Sequence, residues 1–151
     1  MRLFCFASRN RINITLGIEA KKWAVSSVSD QAMSARKTKA RRNMRPGDLG
    51  LIYSNVDHAF TTPFVIMSAA ALDGVVTDVW PEAWVLPFEI EPLSSGEKKM
   101  SKDLAREKWK LLRRIPWKGS ISATLNFTGT TLFVPTEINE NEWNEIVFDL
   151  T

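Results

Sequence analysis

Every apolar run in this chain is short. Leu3–Ala7, Leu49–Tyr53 and Phe64–Leu72 have strand length, and polar stretches with recognisable starts and stops lie between them. None approaches the ~20 residues that span a bilayer. A chain of this kind builds its core by pairing short strands and packing helices on the sheet they form. At 151 residues there is room for one such core, so residues 1–151 read as one domain.

Local signals place the elements. Arg2–Ser8 reads as a strand. Asn10 and Asn13 suit a helix start, and Ile12, Leu16 and Ala20 recur at helical spacing, which predicts a helix to about Glu19. Lys21–Ser26 crosses through Trp23. Ser29-Asp30 opens a second helix that runs to about Asn43, and Pro46-Gly47-Asp48 stops it. Leu49–Tyr53 is a strand, Ser54–Pro63 a polar loop holding His58, Phe64–Leu72 a strand, and Trp84–Glu91 a half-exposed strand. Ser101–Arg113 reads as a helix, Asn126–Gly129 as a hairpin turn between Ile121–Leu125 and Thr131–Val134, and Pro135-Thr136 as the start of an acidic terminal helix. The fold class is α+β: a curved, mainly antiparallel sheet or barrel flanked by helices.

Composition narrows the chemistry. The single cysteine, Cys5, excludes an internal disulfide and any cysteine-based metal cluster. Within an apolar strand it reads as a small buried hydrophobe. With no signal-peptide pattern at the start, the expected compartment is the cytoplasm. Net charge is only +3 but unevenly spread. Ser34–Arg45 carries six basic residues and no acid, and Glu137–Asp149 carries five acids and no base. The first segment can attract a polyanion, and the second keeps the far side from doing so. No nucleophile stands beside a base, and there is no Gly-rich phosphate loop or metal-ligand cluster. A non-catalytic recognition domain without cofactor or metal is expected.

Tryptophan is the residue type left to explain. Trp80 and Trp84 bracket the turn Pro81-Glu82-Ala83, and Trp23 follows Lys21-Lys22. Flat apolar rings in loop contexts beside cations suit a ligand that is flat itself and attached to an anion. A nucleobase on its phosphate backbone fits. Trp109, Trp117 and Trp143 read as core or partly buried supports.

The segment Arg2–Ser8 with Asn10, Asn13 and Trp23, then Val79-Trp80…Trp84…Phe88, resembles the YTH domains and the related EVE domains of the PUA-like superfamily. Leu49–Ser54 is similar to their central strand, Met44–Asp48 to the EVE form of the preceding turn, and Ile115-Pro116-Trp117 to the YTH segment after the helix. The likeness covers roughly residues 2 to 134. It implies a cage of Trp23, Trp80 and Trp84 around the methylamino group of a flipped N6-methyladenine. Asn13 would donate to the base edge, and the main-chain carbonyl near Ala24 would accept the remaining N–H. Ala7, Arg9 and the arginine-free turn 126–129 depart from the pattern. Phosphate contacts are therefore expected from Arg9, Arg11, Lys21, Lys22 and the helix bearing Arg36, Lys37, Arg41 and Arg42.

The implied partner is methylated DNA or RNA. The compact start of the chain resembles prokaryotic relatives that serve methylation-dependent restriction systems of the McrB type, alongside a GTPase motor and a nuclease. Three alternatives stand beside this. One is an EVE-like reader of modified cytosine. Another is a methyl-lysine cage using Glu82. The last is a PUA-like nuclease built on Tyr53 with Lys21 or Lys22.

Overall fold

The computed structural model describes all residues, Met1–Thr151. Its sheet is built around β1 (Arg2–Ser8) and β3 (Leu49–Ser54), which pair in parallel from Leu3↔Leu49 to Ser8↔Ser54. Between them the chain makes α1 (Arg11–Ala20), the edge strand β2 (Lys22–Val25) and α2 (Asp30–Asn43). β4 (Ala59–Ile66) returns antiparallel to β3, and β6 (Trp84–Pro92) pairs antiparallel with both β4 and β2. The order is β2-β6-β4-β3-β1-β8, an open sheet rather than a closed barrel. The short strands β5 (Val75–Val76) and β7 (Met100–Ser101) add to β6 and β4, and β8 is Thr136–Glu137.

The sheet is covered on both faces, which is why β1 reads as nearly continuous apolar sequence. Strand periodicity sends Leu3 and Cys5 into one core with Leu51, Tyr53, Phe60 and Trp109. Phe4 and Phe6 enter the other, with Ile52, Phe64, Phe88 and Trp23. The first core is closed by α3 (Lys102–Lys108), α4 (Lys110–Arg114) and α6 (Glu140–Leu150), and the second by α1 and α2.

Several local expectations yield to tertiary contacts. α1 is capped by Asn10, whose side chain accepts from the Ile12 N–H, but the face it buries holds Asn13, Ile14 and Gly17. Ile12 is exposed. Gly17 gives the reason: a β-carbon there would lie 2.8 Å from the Trp23 ring, so α1 sits directly on that indole. β4 begins at Ala59 and contains Pro63, where a loop was expected. The ring is tolerated because β7 pairs with Ala59–Phe60 and β6 only from Phe64, so no ladder bond is needed from residue 63 on that edge.

The helix expected over Ser101–Arg113 breaks at Trp109, which is extended (ψ 126°). Its indole N–H donates to Asp149 Oδ2 at 2.9 Å, and the Lys110 N–H donates to Glu145 Oε1 at 2.8 Å, so α6 supplies the partners that reset the chain. Residues 121–134 form no hairpin. They make the short helix α5 (Ile121–Thr124) and a series of turns that bury Phe127 and Phe133. Thr136–Glu137 is not a helix start but pairs with Leu3 and Arg2. The terminal helix is capped by Asn139 through a reciprocal box with Glu142. Its acids are largely engaged within the fold rather than forming a free repulsive face. Arg114 forks onto Glu142 at 2.7 and 2.8 Å, and Lys108 meets Asp149 at 2.7 Å.

Two carboxylates should govern acid stability. Hydrogen bonds from Arg11, and then from Ser54, hold Asp57 well below the usual carboxylate range. The Arg114 fork also lowers the pKa of Glu142, against the opposing effect of burial. A lowered folded-state pKa means the stabilisation is present above the ordinary value of about 4 and lost as pH falls through the folded value. The melting temperature is therefore expected to be flat from about pH 7 to 5 and to fall below about pH 4. In thermal melts across that range, the deficit of Glu142→Gln relative to the parent should shrink on acidification. A constant deficit would remove Glu142 from the account.

Candidate functional site

An open cavity of about 510 Å³ lies at the α1–β2 side of the sheet. Trp23, Trp84, Asn13, Ala24, Glu82 and Arg36 line it, with Phe6 and Phe127 among the apolar contributors. The three indoles expected to act together do meet. Trp80 stands 6.0 Å from Trp23 at 84° and 5.7 Å from Trp84 at 50° between ring centroids and planes. They are not equivalent. Trp84 is half-buried, whereas Trp23 is 2% and Trp80 4% exposed. Trp80 does not line the cavity. It backs the other two and donates its N–H to the Asn13 carbonyl at 2.9 Å, which ties the 80–84 loop to α1.

Asn13 is 4% exposed. Its Nδ2 donates to Glu82 Oε1 at 2.8 Å, and the same oxygen accepts the Trp84 indole N–H at 3.0 Å. A carboxylate can only accept, so Glu82 fixes which way the amide points. Asn13 Oδ1 is left buried without a partner. A buried acceptor in that state costs about 1–3 kcal/mol, and a ligand N–H would satisfy it. Asn13 thus offers an acceptor as well as the second N–H of Nδ2, where the sequence pattern pointed only to a donor. Ala24 falls where the β2–β6 register shifts, between Trp23↔Phe88 and Val25↔Val85, and has no cross-strand partner. An irregularity of this kind re-aims main-chain groups toward a site.

Arg36 faces inward from α2. It is 8% exposed, its Nη1 donates to the Ser26 carbonyl at 2.9 Å, and Nε has no partner. Burial pushes its pKa down, and no carboxylate lies within ion-pair distance. A buried guanidinium without a counter-charge is costly unless an anion or polar ligand completes it.

The other expected contact residues divide. Arg9 lines the cavity and is exposed. Arg11 is turned to Asp57 at 2.7 Å, Lys21 to Glu91 at 3.4 Å and Lys37 to Asp73 at 3.0 Å. Lys22 is half-buried on β2, and Arg41 and Arg42 are exposed along α2, none of them lining the cavity. Tyr53 and the lysines sketched for a nuclease are apart. Tyr53 packs on Phe60 and Phe127 at 5.1 Å, and β6 and β4 separate β3 from the strand that follows Lys21. Sequence reasoning missed the Glu82–Asn13 pair as an orienting device and the inward turn of Arg36. The one local hint was an acid between two tryptophans.

No protein-family model matches the chain, and no curated protein matches it by sequence. Solved structures do match. The YTH domain of Zygosaccharomyces rouxii MRB1, solved in complex with N6-methyladenosine RNA, is similar over 70% of this chain and 65% of that one, with 13% identity and TM-score 0.51. The chain thus spans just under two thirds of that YTH protein. Two bacterial proteins match nearly end to end. Rpa0253 of Rhodopseudomonas palustris gives 98% and 92% coverage, 15% identity and TM-score 0.55. Atu2648 of Agrobacterium tumefaciens gives 98% and 92% coverage, 13% identity and TM-score 0.52. The chain has a YTH-like fold.

Proposed function

We propose that this chain is a recognition module that binds nucleic acid by taking one methylated base, N6-methyladenine in the first instance, into the Trp23–Trp84 cavity. The observation that carries this is the buried, unpartnered Oδ1 of Asn13 beside two indole faces. Adenine and cytosine both present an amine N–H next to a bare ring nitrogen. An amide held by Glu82, with Oδ1 and one N–H free, complements that edge. The methylated amine keeps a single N–H, for which the Ala24 carbonyl is the alternative acceptor to Oδ1. The methyl group adds apolar area worth under about 1 kcal/mol by burial alone. An unmethylated amine partly shut off from water by the indoles widens the gap. Extrusion costs a few kcal/mol, which stacking and edge hydrogen bonds must offset.

Arg36 and Arg9 serve the strand's phosphates in this reading, with Arg41 and Arg42 adding to the field. The module would address a modified site, with any GTPase motor or nuclease supplied by other polypeptide segments. DNA is proposed first, on the resemblance of the sequence to prokaryotic readers, and methylated RNA, present in the MRB1 YTH structure, is the alternative. Modified cytosine is a second reading of the same edge geometry.

The deciding experiment titrates labelled oligonucleotides, methylated and unmethylated, DNA and RNA, single- and double-stranded, by fluorescence anisotropy. Preference for a methylated form by about tenfold or more is expected, and equal affinities throughout would reject the proposal. Arg36→Met should weaken methylated and unmethylated oligonucleotides alike and reduce the salt slope by about one. An unchanged slope would take Arg36 off the phosphates.

A further inference from the structure

Asn55 and Phe127 line not only the indole cavity but also a second cleft, of about 390 Å³. Tyr53, His58, Lys102, Asp103, Arg106 and Trp117 line it as well. Trp117 follows α4 on the Ile115-Pro116 segment and is 39% exposed. The Arg106 guanidinium lies over its ring, 3.7 Å from the centroid. Lys102 and Arg106 are four apart on α3 and so share a face. Neither is in an ion pair, unlike Arg11, Lys21, Lys37, Lys108 and Arg114, even though Asp103 lines the same cleft. Lys118, exposed beside Trp117, is also unpaired.

A flat guanidinium–indole layer in water, flanked by uncompensated cations, has the chemistry of a nucleotide: a ring to extend the stack and a phosphate to neutralise the charge. We propose that this cleft is a second nucleotide subsite. It takes the residue adjoining the base held between Trp23 and Trp84, with its ring on the Arg106–Trp117 layer and its phosphate at Lys102. Asn55 and Phe127, which line both clefts, are where one strand would pass from the first to the second. The assignment of the first position rests on the function proposed above.

The test is calorimetric titration of the whole chain with the nucleoside N6-methyladenosine, with trinucleotides carrying it centrally, and with the same trinucleotides unmethylated. The methylated trinucleotide should bind at least about tenfold more tightly than the nucleoside. Trp117→Ala, and separately the pair Lys102→Ala with Arg106→Ala, should remove most of that gain and leave nucleoside affinity unchanged. Because Trp117 is exposed, folding should survive, and a thermal melt of each variant checks this. Nucleoside and trinucleotide binding alike, or trinucleotide affinity untouched by both variants, would overturn the proposal. The two ideas separate cleanly. If methylated and unmethylated trinucleotides bind equally but Trp117→Ala weakens both, the second subsite stands and the methyl-base function falls. If methyl preference persists while neither variant matters, only the subsite falls.

Discussion

Trp84→Ala is expected to weaken binding of a methylated oligonucleotide by about 1–3 kcal/mol, roughly fivefold to 150-fold, and to erase most of the preference for the methylated form. Trp84 is the cavity indole whose removal perturbs the core least. It is half-buried, whereas Trp23 is sealed against Gly17 and Trp80 is sealed behind both. Truncating Trp23 would cost about 3–5 kcal/mol of stability and confuse the two effects. The change at residue 84 removes a stacking face and also the indole N–H that Glu82 accepts at 3.0 Å. Glu82 still holds Asn13 at 2.8 Å, so base-edge recognition should persist in weakened form. Trp84→Phe keeps a flat ring without the N–H and should recover most of the affinity. Anisotropy titrations with matched oligonucleotides measure both, and an affinity unaffected by either change would detach the indole from binding.

A large effect on stability is expected from a small change, Gly50→Ala. Gly50 is paired with Phe4 on one side and Phe64 on the other, and the Phe64 ring lies across it. A β-carbon at residue 50 would fall 2.1 Å from two atoms of that ring. Phe64 is fully buried, with Phe6 6.4 Å away, so the ring has no free direction of retreat. Replacing glycine would ordinarily gain about 0.4–1 kcal/mol through the unfolded chain. The clash outweighs this at about 3 kcal/mol, the upper end for overpacking. The melting temperature should drop by roughly 6–12 °C for a domain of this size. Adding Phe64→Leu should restore part of the loss by freeing the space, and no recovery would mean that the clash is not the cause. Phe6 contributes to both this aromatic layer and the cavity wall, so the strained variant should also bind oligonucleotides more weakly than the parent.

Much of the architecture could be read from neighbouring residues. β1, the Ser29 cap of α2, β3 and β6 follow from alternation, capping and the Pro46-Gly47 stop, which are properties of a few adjacent positions. The elements that differed each answer to a distant partner. Trp109 breaks its helix because Asp149 and Glu145 lie across from it. Pro63 stays in a strand because no neighbour asks for its N–H. Thr136–Glu137 is a strand because Arg2 and Leu3 have a free edge there.

The site divides in the same way. Which residues are indoles, amides and cations is written in the chain, and their chemistry alone already pointed to a flat ligand on an anionic backbone. Which indole faces the cavity and which is buried behind it is another matter. So are the direction in which the Asn13 amide points and whether a basic helix turns Arg36 in or out. Asn13 and Glu82 are 69 residues apart, and Trp80 reaches back 67 to the Asn13 carbonyl. Local pattern reports how a segment prefers to bend and which face it would bury. Only closure of the sheet, with α1 set down on Trp23, decides which polar atoms are left inside without a partner.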